Sequence, residues 1–322
     1  MRASRFGWIT GFLCGCVPGV PEPDLDDTEV QDTDVDDTDV DDTDTEDPID
    51  SDTSVDEPDP VANYRNRGAA TVTHQTRSVT TSSGCVLSYE LWSPAGGGAG
   101  PLVVLAHGLQ RAKEQQAELS SHLASWGYTV ATPTLCTSAA WNIDQEKNGA
   151  DLAELAEAVR PGPVVFVGHS AGGLASIVAG DVDPDAVGVV SLDGVEARGI
   201  AAGHAPGYPV PVYGLVGGPG PCNANNNFDD LYPSFDADVV RVAESDHCDF
   251  EAPTDWLCTS SWICAATDPV NFTGDDVKST IFALATAAVA AASGDDRVAD
   301  AWWASDGQYA SPLYDAGAIS PL

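Results

Sequence analysis

Residues 163–173, PVVFVGHSAGG, carry four consecutive apolar residues into a Gly-x-Ser-x-Gly turn and leave it into small, helix-compatible residues. Val164, Val165, Phe166 and Val167 suit a strand buried on both faces, and Gly168 and Gly172 leave space where Cβ atoms would collide in a sharp strand-to-helix turn. Such a turn lifts Ser170 Oγ to its tip. The first turn of the helix beneath has unpaired N–H groups and a positive dipole end, which favour an oxyanion beside the hydroxyl. A five-residue pattern occurs by chance in ordinary glycine-rich loops; here it stands between the strand and the helix that an activated serine requires.

The rest of the chain repeats the alternation. Apolar strand runs occupy 101–106 (PLVVLA, ending at His107-Gly108-Leu109), 128–132, 186–192 (AVGVVSL, ending at Asp193-Gly194) and 210–216 (VPVYGLV), and Val239, Val240 and Val242 mark a further strand taken as the last. Between them, Leu119, Leu123 and Trp126, then Leu152, Leu155 and Val159, and finally Val277, Ile281, Leu284 and Ala288 fall at helical spacing. Strands alternating with helices predict an α/β class, with a mostly parallel sheet covered by helices on both faces. Residues 71–73 and 85–92 read as short edge strands joined through Thr and Ser, with the glycine run at 96–100 closing the hairpin region. Of 322 residues, 43% are hydrophobic, enough for one domain, placed at 61–294. Residues 295–322 form an aromatic extension, with Trp302, Trp303, Tyr309 and Tyr314, expected to pack back on that domain.

The N-terminal segments have a different character. Residues 1–16, MRASRFGWITGFLCGC, combine two arginines, a short apolar run and small residues before a cysteine, which predicts a signal peptide too short to span a bilayer as a mature helix. Its end, Leu13-Cys14-Gly15-Cys16, resembles the lipobox of bacterial lipoprotein signal peptides, which would make Cys16 the lipidated first residue and the only membrane attachment. Residues 17–60 hold 20 Asp and Glu with no Lys or Arg in a near-repeat of Asp-Thr-Asp-Val-Asp, predicting a disordered, solvated tether. A calcium array is the sharper competitor, but the repeat lacks the glycine that turns a calcium loop. Residues 61–322 keep 30 acidic against 11 basic residues, a net of −19 with no basic stripe, which excludes nucleic acid as a partner.

A serine hydroxyl needs a base within hydrogen-bond reach and a group that orients the base. Of six histidines, His74 lies in the edge strands, His107 ends a strand, His122 sits on the first helix and His169 adjoins the serine pointing elsewhere. That leaves His204 and His247; His247 directly follows the 239–242 strand, at the sheet edge where the serine stands, and is the expected base. For the acid, Asp193 ends the strand after the elbow unit at the same carboxyl edge. Asp229 and Asp230 compete from the loop after VPVYGLV, although that loop opens with GGPGPCNANNN and has no carboxylate near its strand end.

These residues together resemble an α/β-hydrolase, and within that superfamily the platelet-activating factor acetylhydrolase and chlorophyllase branch, with bacterial polyester hydrolases as relatives. The likeness rests on LAHGLQ (105–110), LASWGYTVATP (123–133), GHSAGG (168–173) and SLDG (191–194), and covers most of 102–247. It implies a Ser170–His247–Asp193 triad, since an acid after the strand following the elbow separates this branch from the polyester hydrolases. It also implies an oxyanion hole from the backbone N–H groups of Leu109 and Ala171. The expected activity is hydrolysis of small or polymeric carboxylic esters through an acyl-enzyme, without cofactor or metal. A silent binding lipoprotein on the same fold, or a peptidase or amidase with the same triad, are the competing expectations. Only about 16 residues separate the 193 strand end from Val210, too few for a helical lid, so the serine is expected to be open to bulky esters.

The cysteine-rich region and the aromatic tail depart from the family pattern. Beyond Cys14 and Cys16 there are six cysteines, Cys85, Cys136, Cys222, Cys248, Cys258 and Cys264, an even number that predicts three disulfides and an oxidising compartment such as the cell envelope or exterior. Cys258 with Cys264 is the expected local pair, and a bridge from Cys248 would fix the His247 loop. Zinc is disfavoured because no Cys-x-x-Cys spacing occurs.

Overall fold

The computed structural model describes residues 61–259, 264 and 270–322. The expected signal peptide, Cys16 and the acidic tether lie outside the described residues. Nine strands form one sheet: β1 (Val72–Thr80), β2 (Val86–Pro94), β3 (Leu102–Ala106), β4 (Thr129–Pro133), β5 (Val164–His169), β6 (Ala186–Leu192), β7 (Val212–Val216), β8 (Asp238–Val242) and β9 (Ile319–Pro321). Their spatial order is β1-β2-β4-β3-β5-β6-β7-β8-β9. The six strands from β4 to β8 run parallel, while β1, β2 and β9 add antiparallel edges. This is an α/β fold with a mostly parallel sheet.

Helices cover both faces because the central strands are apolar on both. In β5, Val165 and Val167 enter a core with Leu119 and Leu123 of α1 (Ala117–Ser125) and with Ile281 and Leu284 of a long helix (Gly274–Ala292). The alternating residues Val164 and Phe166 enter the opposite core with Leu152 and Leu155 of α2 (Gln145–Val159) and Leu174 and Ile177 of α3 (Ala171–Val182). Each such side chain, fully buried, contributes about 1.5–3 kcal/mol of transfer free energy. A short α4 (Ile200–His204) and a single turn α5 (Trp256–Thr259) precede the long helix, here α6, and α7 (Asp296–Trp302) and α8 (Ala310–Asp315) follow it.

The strand order reverses at β3, which has β4 on one side and β5 on the other, with Ala106 opposite Gly168 at the carboxyl ends. Open α/β sheets offer their ligand crevice where the order reverses, because neighbouring loops there turn apart. The loops after β3 and β5 begin at His107 and Ser170, so the fold brings these two segments together.

Several expectations need correction. The first edge strand runs from Val72 to Thr80 rather than ending at Thr73; it joins β2 through the expected Thr-Ser turn, closed by Thr81 N–H donating to Cys85 O at 2.9 Å, and the glycine run at 96–100 follows the hairpin and leads on to β3. The strand at 239–242 is not the last: Ile319 pairs with Val242 and Pro321 with Val240. Three residues are too short for a periodic signal, and only pairing with β8 defines them. Aromatic residues near the C-terminus pack against the first residues described and against β7. Trp302 is buried and donates through Nε1 to Ala62 O (3.2 Å), Tyr309 Oη donates to Val61 O (2.7 Å), and Trp303 lies 4.9 Å from the Tyr213 ring.

Three disulfides form, which is compatible with an exported protein: Cys85–Cys136, Cys222–Cys264 and Cys248–Cys258. The expected Cys258–Cys264 pair is therefore absent. The sulfurs of Cys248, Cys258 and Cys264 all lie within 4.8 Å of one another, so sequence proximity could not choose among them. The expected tie from Cys248 is present. Among the described residues no helix is long and apolar enough to cross a membrane.

Candidate active site

Ser170 sits between β5 and α3 with φ 57° and ψ −123°, a conformation that costs a non-glycine residue of order 1–3 kcal/mol. The surroundings hold it there. Its N–H donates to Leu192 O (2.9 Å), and its carbonyl accepts from Gly173 N–H (2.9 Å) and Val195 N–H (3.3 Å). The turn is so tight that a Cβ on Gly168 would lie 2.1 Å from Gly172 O, and one on Gly172 would lie 2.5 Å from His107 O. Those two glycines are required by close approach of backbone to backbone.

His247 opens a 3₁₀ turn, His247–Phe250, just beyond β8. Its Nε2 lies 2.9 Å from Ser170 Oγ and its Nδ1 lies 2.6 Å from Asp193 Oδ2. A carboxylate accepts, so Nδ1 carries the proton and Nε2 offers its lone pair to the serine O–H. All three residues are buried: Ser170 is 6% exposed, His247 8% and Asp193 1%. Asp193 occupies a positive φ of 46° at the end of β6 and receives two further donors, Gly217 N–H to Oδ1 (2.9 Å) and Asn223 Nδ2–H to Oδ2 (3.1 Å).

The loop after β3 borders the serine. The His107 ring donates from Nδ1 to Gly108 O (2.7 Å) and accepts Leu135 N–H at Nε2 (2.9 Å), which fixes the segment leading to Leu109. Burial pushes His107 down to about 4, so it stays neutral in this structural role. Gln110 holds a positive φ of 58°, and neither Leu109 nor Ala171 has a hydrogen-bond partner for its N–H among the described residues. His169 is fully buried, donates from Nε2 to His247 O (2.8 Å) and lies 4.6 Å from the His247 ring. Burial, followed by the neighbouring His247, holds it well below the usual imidazole range. It thus braces His247 as a neutral ring.

A cavity of about 230 Å³ opens over Ser170, lined by the 108–111 segment and by Cys222, Cys258 and Cys264. The wall over the serine is thus built from disulfide-linked loops, while the aromatic tail packs elsewhere and roofs nothing here. Arg111 is tied down beside it by Glu251 (3.0 Å) and Asp255 (3.0 Å). No helix inserts between β6 and β7 except the one-turn α4.

The competing residues stand apart. Asp229 pairs with Arg241 at 2.7 Å and Asp230 is exposed. His74 stacks on Trp92, His122 packs against Phe282, and His204 bridges Asp181 and Glu146. Sequence reasoning did not single out Asn223, Arg111 or the structural role of His107. Asparagines in a Gly-Asn-rich loop look like turn residues, and only the tertiary contact with Asp193 marks one of them.

Asp249 caps the His247 turn, its Oδ2 accepting Asp246 N–H at 2.7 Å, and burial pushes its carboxyl up to about 6. A folded-state value above the ordinary one means that its protonated form favours folding; that contribution is complete below about pH 4 and lost as pH rises through about 6. Asp249→Asn keeps an acceptor for Asp246 N–H. Its stability relative to wild type is expected to rise between pH 4 and pH 7.5, by on the order of 2 kcal/mol in denaturant titrations. An unchanged difference across that window would contradict this account.

No protein-family model matches the chain, and no curated protein matches it at a significant level.

Proposed function

We propose that this chain is a serine hydrolase of carboxylic esters on an α/β-hydrolase fold of the acetylhydrolase and chlorophyllase type. The supporting observation is the continuous relay from Asp193 Oδ2 through His247 to Ser170 Oγ, at 2.6 and 2.9 Å, on a strained elbow at the sheet's switch point. A silent binding protein would have no need to hold three buried polar groups in this register. In the proposed cycle His247 Nε2 takes the Ser170 proton as Oγ bonds to the ester carbonyl carbon. The N–H groups of Leu109 and Ala171 receive the oxyanion, and Asp193 stabilises the imidazolium. Collapse breaks the bond to the alcohol oxygen, which takes the proton from His247. Water then repeats the sequence on the acyl-enzyme and frees the acid.

With Cys16 lipidated, the enzyme would act at the cell envelope, on its outer surface or in the periplasm; without that anchor it would act as a secreted protein. Its small cavity favours hydrolysis at an ester that reaches the serine from outside. Incubating the oxidised full chain with a fluorophosphonate probe is expected to label one site, mapped by peptide mass spectrometry to Ser170, with competition by p-nitrophenyl acetate, butyrate and octanoate. Labelling elsewhere, or none with folded protein, sinks the proposal.

A further inference from the structure

The loop after β7, GGPGPCNANNN, carries no acid near its strand end, yet it closes around the carboxylate of the preceding strand. Both non-histidine donors to Asp193 come from it: Gly217 N–H to Oδ1 and Asn223 Nδ2–H to Oδ2. Oδ2 is also the oxygen that accepts His247 Nδ1–H. Asn223 is fully buried, and both hydrogens and the oxygen of its side-chain amide are used. Its second Nδ2 hydrogen goes to Gly218 O (2.8 Å), while Oδ1 accepts Gly220 N–H (2.8 Å) and Asn226 N–H (3.2 Å). The loop is anchored in turn. Asn226 Nδ2 donates to Gly217 O, Arg241 also donates to Gly217 O, and Cys222, next to Asn223, is bridged to Cys264.

We propose that Asn223 is a positioning residue for catalysis: its amide holds Asp193 Oδ2 in line with His247 Nδ1, so that the imidazole presents its free nitrogen to Ser170. This rests on the serine hydrolase proposal above. The physical need is plain. A buried carboxylate must recover the hydrogen bonds it loses to water, and no Lys or Arg among the described residues pairs with Asp193. Fixed amide dipoles supply that compensation without neutralising the charge that the imidazolium requires. One face of Oδ2 is closed by Asn223, and the remaining direction is filled by His247. Without the amide, the carboxyl group can rotate about its last bond and the histidine loses its reference.

The test compares Asn223→Asp with wild type in the oxidised full chain, using p-nitrophenyl butyrate. The substitution keeps shape and the Oδ1 acceptor, but turns the donor facing Asp193 into a second oxygen. With thermal unfolding close to wild type, kcat is expected to fall on the order of 100-fold at pH 8 while KM stays unchanged. The ratio of variant to wild-type kcat should then climb as pH is lowered towards 5. A protonated carboxyl at this position can again donate to Asp193. A stapling role confined to the loop would instead lower the unfolding temperature and leave kcat at pH 8 near the wild-type value. A flat ratio, or a kcat within threefold of wild type, overturns the proposal. Should Asn223→Asp fail to fold, Asn223→Ser, too short to reach Asp193, carries the test: reduced kcat at constant KM supports the role and wild-type kcat refutes it. Wild type that neither hydrolyses the ester nor takes the fluorophosphonate would instead remove the hydrolase proposal itself.

Discussion

Ser170→Ala is expected to lower kcat for p-nitrophenyl butyrate by about 10⁵- to 10⁶-fold with KM little changed, since in the proposed cycle the residue serves only as the attacking group. The variant should remain folded. The elbow is held by backbone contacts, Ser170 N–H to Leu192 O and Gly173 N–H to Ser170 O, that an alanine keeps. His247→Ala should cost a similar factor, and the double variant little more than either alone, because the two residues form one unit whose loss is complete after the first cut. Steady-state kinetics on oxidised protein, with thermal unfolding as control, decide the matter. Turnover persisting in Ser170→Ala within tenfold of wild type would place the nucleophile elsewhere. Additive losses in the double variant would mean that His247 does not act through Ser170.

The elbow is legible in sequence because each of its parts has a separate local cause. Val164 to Val167 must be buried on both faces, and Gly168 and Gly172 must lack Cβ atoms where backbone meets backbone. His247 and Asp193 are legible by position, since residues ending parallel strands gather at one edge of the sheet. Side-chain partners are less so. Three sulfurs within 4.8 Å of one another permit several pairings, and the choice of Cys248 for Cys258 depends on which loops face each other rather than on spacing. Strand β9 has only three residues and no periodicity. The loop holding Asn223 is legible as a turn region but not as a cradle. The Asn223 and Asn226 side chains bond backbone groups within the loop, which is what turn asparagines do anywhere, and the long-range bonds from Asn223 to Asp193 and from Asn227 to the Glu196 backbone leave no pattern in the chain.

Asp193→Asn is expected to lower kcat by about 10³- to 10⁴-fold, again with little change in KM, and the geometry shows why an isosteric amide cannot substitute. Three N–H groups converge on the carboxylate: Gly217 at Oδ1, and Asn223 and His247 at Oδ2. An amide offers one oxygen. Turned towards Gly217, it sets its NH₂ against the Asn223 amide and forces His247 Nδ1 to accept, which moves the imidazole proton to Nε2, facing Ser170, and blocks proton abstraction. Turned the other way, it keeps the useful tautomer but buries Gly217 N–H against an NH₂ and removes the negative charge that stabilises the imidazolium. Both orientations lose, by different routes. Asp229→Asn, which weakens a half-buried pair with Arg241, is expected to leave kcat within a few-fold of wild type, because Asp229 pairs with Arg241 and not with His247. If Asp229→Asn proved the more damaging of the two substitutions, the orienting acid would belong to the loop after β7 and the relay through Asp193 would be incidental to turnover.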